Sequence, residues 1–172
     1  FKDLFIFDLA NNHQGDIDHA SSIISSISKL VKDEKLNGAI KFQFRDLSTF
    51  IHKNSRTNKD NKHIERFLST ELNKKSFEEL AIHAKNLSLK RICTPFDEAS
   101  VDFIKDLNLD AIKLASCSAK DWPLIEKIAD AGLPIVFSTG GLTIDDIDNL
   151  VSFFEHKACN FAIMHCISIY PT

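Results

Sequence analysis

Short apolar runs and amphipathic stretches alternate from one end of this 172-residue chain to the other, and that alternation constrains the fold more than any other feature. Leu4 to Leu9 reads as a first strand. Asp16 to Lys35 follows as a helix, with Ala20, Ile23, Ile24, Ile27, Leu30 and Val31 at helical spacing. Gly38 punctuates, and Ala39 to Phe44 reads as a second strand. A polar stretch from Arg45 to about Asn61 leads into a short helix, His63 to Ser69. The next helix is expected to start near Ser76, where Ser76 and Glu79 fit a capping box.

The same rhythm continues to the end. Arg91 to Thr94, Ala111 to Ala115, Leu133 to Ser138 and Phe161 to Cys166 read as strands three to six. Between them lie helices from Glu98 to Leu107, from Asp121 to Ala131 and from Thr143 to about Glu155. Pro123 suits the first turn of the second of these, and Gly132 its stop. Thr143 and Asp146 form a capping box for the third.

Strict alternation of this kind means parallel strands joined by helical crossovers. Two architectures compete, a doubly wound open sheet and a (β/α)₈ barrel. The open sheet carries a glycine-rich nucleotide loop after its first strand, but Ala10 to Gly15 reads Ala-Asn-Asn-His-Gln-Gly. Polar residues stand at the C-terminal ends of nearly all the strands, the pattern of a TIM barrel. The expected fold is therefore α/β, a (β/α)₈ TIM barrel of which this chain holds the first six β/α units. A barrel needs eight strands and about 250 residues. The expected organisation is one domain, residues 1–172, cut after strand six, since the chain opens on Phe1 and closes on Thr172 behind the last strand.

Composition removes other classes. Net charge is −3, which gives nucleic acid no footing, and no apolar run reaches the length of a membrane span. The apolar opening is broken by Lys2, Asp3 and Asp8, so no signal peptide is expected and a cytoplasmic protein is. Cys93, Cys117, Cys159 and Cys166 form no C-x-x-C pair and read as reduced, buried core residues.

Strand parity picks out the chemistry. Lys41 and Gln43 share one face of strand two, and Ile40, Phe42 and Phe44 take the other. In strand four, Ala111, Lys113 and Ala115 oppose Ile112 and Leu114. Bulky apolar residues suit the helix side, so both lysines point inward. A lysine there is costly unless an anion meets it, and two from different strands suit a doubly anionic small molecule. The alternatives are that each pairs with a carboxylate such as Asp8 or reaches solvent, or that one is a Schiff-base nucleophile as in class I aldolases.

Thr94, Ser116, Ser138, Thr139 and Ser168 cluster at other strand ends, where hydroxyls either donate to an anion or cap helices. Gly140 and Gly141 let backbone N–H groups approach an anion, or simply make a turn. Asp8 ends strand one where a base or a partner of a metal-bound water would stand, with Asn12 and His13 behind it. His13 and His165 are each either structural or functional, and no H-E-x-x-H spacing occurs. The basic stretch Lys53 to Lys75 is either a lid that attracts an anionic substrate or a solvated loop.

Six segments together resemble the sialic acid synthase family and its spore-coat polysaccharide relatives. They are Asp8 to Gly15, Lys41-Phe42-Gln43, Cys93 to Asp97, Lys113 to Ser116, Ser138-Thr139-Gly140 and His165 to Thr172. The resemblance implies a divalent-metal-dependent condensation, with Mn²⁺ or Mg²⁺, of phosphoenolpyruvate with the aldehyde of an open-chain acylamino sugar. By that likeness Lys41, Thr94, Lys113, Ser116, Ser138 and Ser168 hold phosphoenolpyruvate, Gln43 and Tyr170 face the sugar, and Asp8, Lys41 and Lys113 are catalytic. It also implies metal ligands beyond Thr172, a C-terminal antifreeze-like domain and a homodimer. Asp8 replaces the family's glutamate, and Ser118 and Ser168 stand where sialic-acid-forming members have Glu and Asn. The last two departures point to a different sugar from N-acetylmannosamine or to a divergent branch, and those at Asp8 and Ser118 leave a non-catalytic anion- or sugar-binding barrel as the reading from another class.

Overall fold

A computed structural model describes residues 1–56 and 61–169. Its strands are β1 (Leu4–Asp8), β2 (Asn37–Phe44), β3 (Lys90–Pro95), β4 (Ala111–Leu114), β5 (Ile135–Ser138) and β6 (Phe161–Met164). Its helices are α1 (Ile17–Asp33), α2 (Leu47–Phe50), α3 (Lys62–Ser69), α4 (Lys74–Asn86), α5 (Glu98–Asp106), α6 (Trp122–Asp130) and α7 (Ile144–His156). The strands lie in chain order in a six-stranded sheet, and β1–β2, β4–β5 and β5–β6 pair in parallel. Neighbouring parallel strands in chain order, each followed by a helix, are the topology of the first six units of a (β/α)₈ barrel. Contacts divide the chain into two compact units, Phe1–Ile92 and Cys93–Thr172.

In the first unit α1 and α4 pack side by side. Ser28, buried on α1, donates its hydroxyl to the Leu87 carbonyl at 3.2 Å, and Ser25 meets His83 at 3.0 Å. Phe42 and Phe44 of β2 face Phe77 of α4, with ring centroids 5.1 and 5.0 Å apart. That contact fixes the parity of β2: aromatics toward the helix, Lys41 and Gln43 on the opposite face. Gly38 is required by packing, since a Cβ there would lie 2.5 Å from a Val31 methyl.

Among its described residues the stretch between β2 and α4 folds into α2 and α3. Leu47, Ile51 and Ile64 are buried together with Phe67 against them, and the Arg56 guanidinium donates to the Leu47 carbonyl at 2.7 Å. The excursion thus carries a small core of its own. Lys59, part of the expected basic stretch, lies outside the described residues.

The second unit is built on aromatics. Phe137 of β5, Phe154 of α7 and Phe161 of β6 pack with centroids 5.7 to 5.9 Å apart, and Phe153 extends the cluster to Trp122 at 5.4 Å. The capping box of α7 forms as the sequence implies: Thr143 Oγ1 accepts the Asp146 N–H and Asp146 accepts the Thr143 N–H. Lys120, 2.8 Å away, and then Thr143 hold the Asp146 carboxyl down at about 2.

Three expectations need correction. Helix α4 starts at Lys74, because Asn73, in an extended conformation, accepts the Ser76 N–H at 2.8 Å and is the N-cap; Ser76 lies inside the first turn. Strand β6 stops at Met164, so His165 stands beyond it and is exposed. Of the four cysteines only Cys93 is fully buried, while Cys117 is exposed and Cys159 and Cys166 lie between; all four are free thiols.

Candidate active site

The second unit gathers its polar groups at the C-terminal ends of its strands. Lys113 sits near the end of β4 and is only 6% exposed. Its Nζ donates to the Leu114 carbonyl at 2.8 Å and to Ser138 Oγ, at the end of β5, at 2.5 Å. The β4–β5 register sets Lys113 beside Val136, so the long side chain reaches forward by one layer to Ser138. Thr94, near the end of β3, is buried at 2%.

The turn after β5 is tied to the exit of β6. Thr139 Oγ1 donates to the Met164 carbonyl at 3.3 Å and accepts the Cys166 N–H at 3.4 Å. The Gly140 N–H donates to Cys166 Sγ at 3.0 Å. Ser168 Oγ presses against Gly140 where a side chain would begin; a Cβ there would also lie 3.0 Å from Cys166 Sγ and 3.4 Å from Ser116 Oγ. Ser116, Cys166 and Ser168 thus converge on one glycine. Ser118 lies in a 3₁₀ turn (Ser116–Ser118), with its N–H donating to the Ala115 carbonyl.

In the first unit the β1–β2 register sets Asp8 opposite Lys41, and Lys41 Nζ lies 2.9 Å from Asp8 Oδ2. The carboxylate alternative for this lysine is therefore realised. The Asp8 side chain is 45% exposed, so the pair is worth at most about 1 kcal/mol. Gln43, two residues on, lines a cleft of about 40 Å³ with Asn11, His13, Arg45, Thr70 and Glu71. Tyr170, the other residue assigned to the sugar, lies outside the described residues.

His13 is 5% exposed and its Nδ1 accepts the Gly15 N–H at 3.0 Å. That bond closes a loop in which Ala10, Gln14 and Gly15 all have positive φ, of 42°, 55° and 80°. Gly15 is needed twice over, since a Cβ there would stand 2.8 Å from the Ser69 carbonyl. Burial first, and then the nearby His19, push the His13 pKa below its usual value, while the Ala10 carbonyl opposes them. The folded state therefore favours neutral His13, whose contribution is complete above the unfolded value near 6.5 and is lost as pH falls below it. Unfolding at pH 7.5 and 5.5 is expected to show a pH-dependent loss of stability that shrinks in His13→Asn, where an amide oxygen can still accept the Gly15 N–H. An identical pH slope in the variant would remove His13 from this role.

Sequence reasoning missed two groups. Arg45 is the next residue after Lys41 and Gln43 on the same face of the chain, and parity extended by one step would have found it. Cys166 as the acceptor for Gly140 carries no sequence signal, because it depends on the turn after β5. Among the described residues no three His, Cys, Asp or Glu side chains come together as a cation site.

The topology is of the β/α-barrel class, with a buried lysine, hydroxyls and a glycine turn at its strand ends. The chain belongs to the NeuB family, whose model matches residues 31–172. It is 31% identical over 180 residues to the N-acetylneuraminate-9-phosphate synthase of Drosophila melanogaster, covering 97% of this chain and 46% of the relative. The structure assigned to spore coat polysaccharide biosynthesis protein E of Chromobacterium violaceum superimposes with a TM-score of 0.96 at 43% identity, over 99% of this chain and 51% of that one. The N-acetylneuraminic acid synthetase of Leptospira borgpetersenii, solved with citrate, gives 0.84 at 29% identity over 99% and 55%. The chain spans about half the length of the relatives it matches. No helix among the described residues is long and apolar enough to cross a membrane.

Proposed function

We propose that the full-length protein condenses phosphoenolpyruvate with the aldehyde of an N-acyl amino sugar, giving a sialic-acid-like nonulosonic acid and phosphate. The observation that carries this reading is Lys113, a buried lysine held by the Ser138 hydroxyl and the Leu114 carbonyl, in a chain of the NeuB family. A buried cation costs several kcal/mol unless something charged or well hydrogen-bonded meets it. A small phosphate- and carboxylate-bearing reactant would add a negative charge to the partners this lysine already has.

In this reading Lys113 and Lys41 bind the phosphoenolpyruvate oxygens, with Thr94, Ser116, Ser138 and Ser168 donating hydroxyl hydrogen bonds around them. Gln43 and Tyr170 meet the sugar. The C=C electrons of phosphoenolpyruvate bond its methylene carbon to the aldehyde carbon as the C=O bond opens and its oxygen takes up a proton; water adds to the cation at C2 and loses a proton, and the hemiketal collapses to the 2-keto acid as phosphate leaves with C–O cleavage. Asp8, paired to Lys41 at 2.9 Å, would orient that ammonium and take a proton from the attacking water. Mn²⁺ or Mg²⁺, held by residues beyond Thr172, would polarise the aldehyde, and the whole protein would work as a homodimer.

The test is phosphate release from phosphoenolpyruvate by the full-length protein, with manganese and a panel of acylamino sugars. Release that requires one of those sugars supports the synthase. No release with any of them supports an anion- or sugar-binding barrel instead. Borohydride trapping of Lys41 or Lys113 with a keto substrate would favour an aldolase, since the synthase needs no Schiff base.

A further inference from the structure

The small core between β2 and α4 reaches the candidate site through one residue. Arg45 follows the last residue of β2 and places its guanidinium 4.5 Å from the centre of the Phe67 ring of α3 and 6.0 Å from that of Phe50 of α2. The two rings meet edge to face at 5.7 Å, and Phe67 packs on Leu47, Ile51 and Ile64. From that seat Arg45 Nη2 donates to Gln43 Oε1 at 3.2 Å. A guanidinium has only donors, so the Gln43 atom that meets it must be the carbonyl oxygen. The amide plane is thereby set, and Nε2 is the end of the carboxamide left to a ligand.

Gln43 and Arg45 line the same cleft of about 40 Å³. That volume holds about two or three waters, or one small substituent, not a whole sugar ring. We propose that Arg45 is a positioning residue that fixes the Gln43 carboxamide as a hydrogen-bond donor, so that the cleft selects a ligand substituent bearing an acceptor oxygen, such as an acyl carbonyl. This rests on the reading that Gln43 meets the acceptor sugar, and adds what sets its orientation and polarity. Lysine at 45 cannot reproduce it, because a point charge lacks the planar fork and stacks poorly on Phe67.

Two readouts in the full-length protein test the proposal. Arg45→Lys is expected to raise the KM for the acylamino sugar about tenfold, the worth of one buried hydrogen bond, with kcat and the KM for phosphoenolpyruvate changed less than about twofold. The ¹⁵N side-chain amide resonance of Gln43, assigned by its loss in Gln43→Glu, is expected to shift and broaden in Arg45→Lys. Phe67→Leu, which keeps an apolar side chain in the small core, is expected to move both in the same direction. Gln43→Glu keeps the acceptor for Arg45 but loses the donor, and should raise the sugar KM with no loss of thermal stability. An unchanged Gln43 resonance in Arg45→Lys overturns the positioning claim, and a shifted resonance with an unchanged sugar KM overturns the selectivity claim. If no sugar is turned over by the unaltered protein, the synthase reading fails, while the resonance still decides whether Arg45 orients Gln43.

Discussion

Lys113→Met in the full-length protein is expected to lower phosphoenolpyruvate affinity at least about 100-fold, roughly 3 kcal/mol, while its folding stability changes by no more than about 1 kcal/mol. The two halves of that result have different causes. Binding is lost because a charge-assisted contact to an anion in a low-dielectric site has no substitute in a thioether. Stability is kept because the folded protein bears the cost of desolvating this lysine, which is 6% exposed, and methionine fills nearly the same volume without it. Removing the amine also frees the Ser138 hydroxyl and the Leu114 carbonyl, which sets the opposing cost. Calorimetric titration with phosphoenolpyruvate and denaturant unfolding separate the two. Unchanged affinity with lowered stability would make Lys113 a structural residue and end its assignment to the anion.

Gly140→Val is expected to be the most damaging change at the turn after β5. Its Cβ would meet Ser168 Oγ and lie 3.0 Å from Cys166 Sγ, the atom that accepts the Gly140 N–H. Both neighbours are side chains on the exit of β6, so they must rotate away, losing the Cys166 acceptor for the Gly140 N–H, or the segment must shift, at about 1–3 kcal/mol. Ser116 Oγ, 3.4 Å from the same point, would be disturbed with them. The expected result is lower thermal stability together with loss of phosphoenolpyruvate binding. Ser168→Gly in the same chain should recover part of the stability, because it removes the first clash but not the contact with Cys166. A Gly140→Val protein with unaltered melting and binding would show that the turn is not packed in this way.

Much of this was legible in the sequence because alternation and parity are direct consequences of backbone geometry. A period of two puts Phe42 and Phe44 against Phe77 and so leaves Lys41 and Gln43 on the other side. The Thr143 cap was legible as a capping box, and the helices expected to open at Asp16 and Asp121 have those residues as N-caps, whereas the Asp46 and Asp97 caps went unread. Asn73 was passed over in favour of Ser76 because both can cap, and only the extended backbone at Asn73 separates them. Helix ends were less readable still. Gly132 marks one stop, but Lys35, Ser88, Asn108 and Ala158 adopt positive φ, from 49° to 64°, directly after other helix C-caps. There the N–H groups of Leu36, Leu89 and Cys159 bond back to the Val31, Ala84 and Phe154 carbonyls, and those bonds support a left-handed conformation that propensity disfavours.

The candidate site was legible as polar residues at strand ends, with Asp8 as one possible partner for a lysine, because strand limits and parity can be read without coordinates. That Lys41 pairs with Asp8, that Lys113 reaches Ser138, and that Gly140 bonds to a thiol depend on register and rotamer. The small core of Leu47, Ile51, Ile64 and Phe67 was hidden because its apolar residues fall in two short clusters of helical spacing, 47–51 and 64–67, with a polar stretch between them.

The central claim is that Lys41 and Lys113 grip one reactant. A crystal structure of the full-length protein with phosphoenolpyruvate tests it most directly. The account predicts both Nζ atoms within about 3 Å of oxygens of the same phosphoenolpyruvate molecule. A ligand held by only one of the two lysines, or bound away from both, would contradict it.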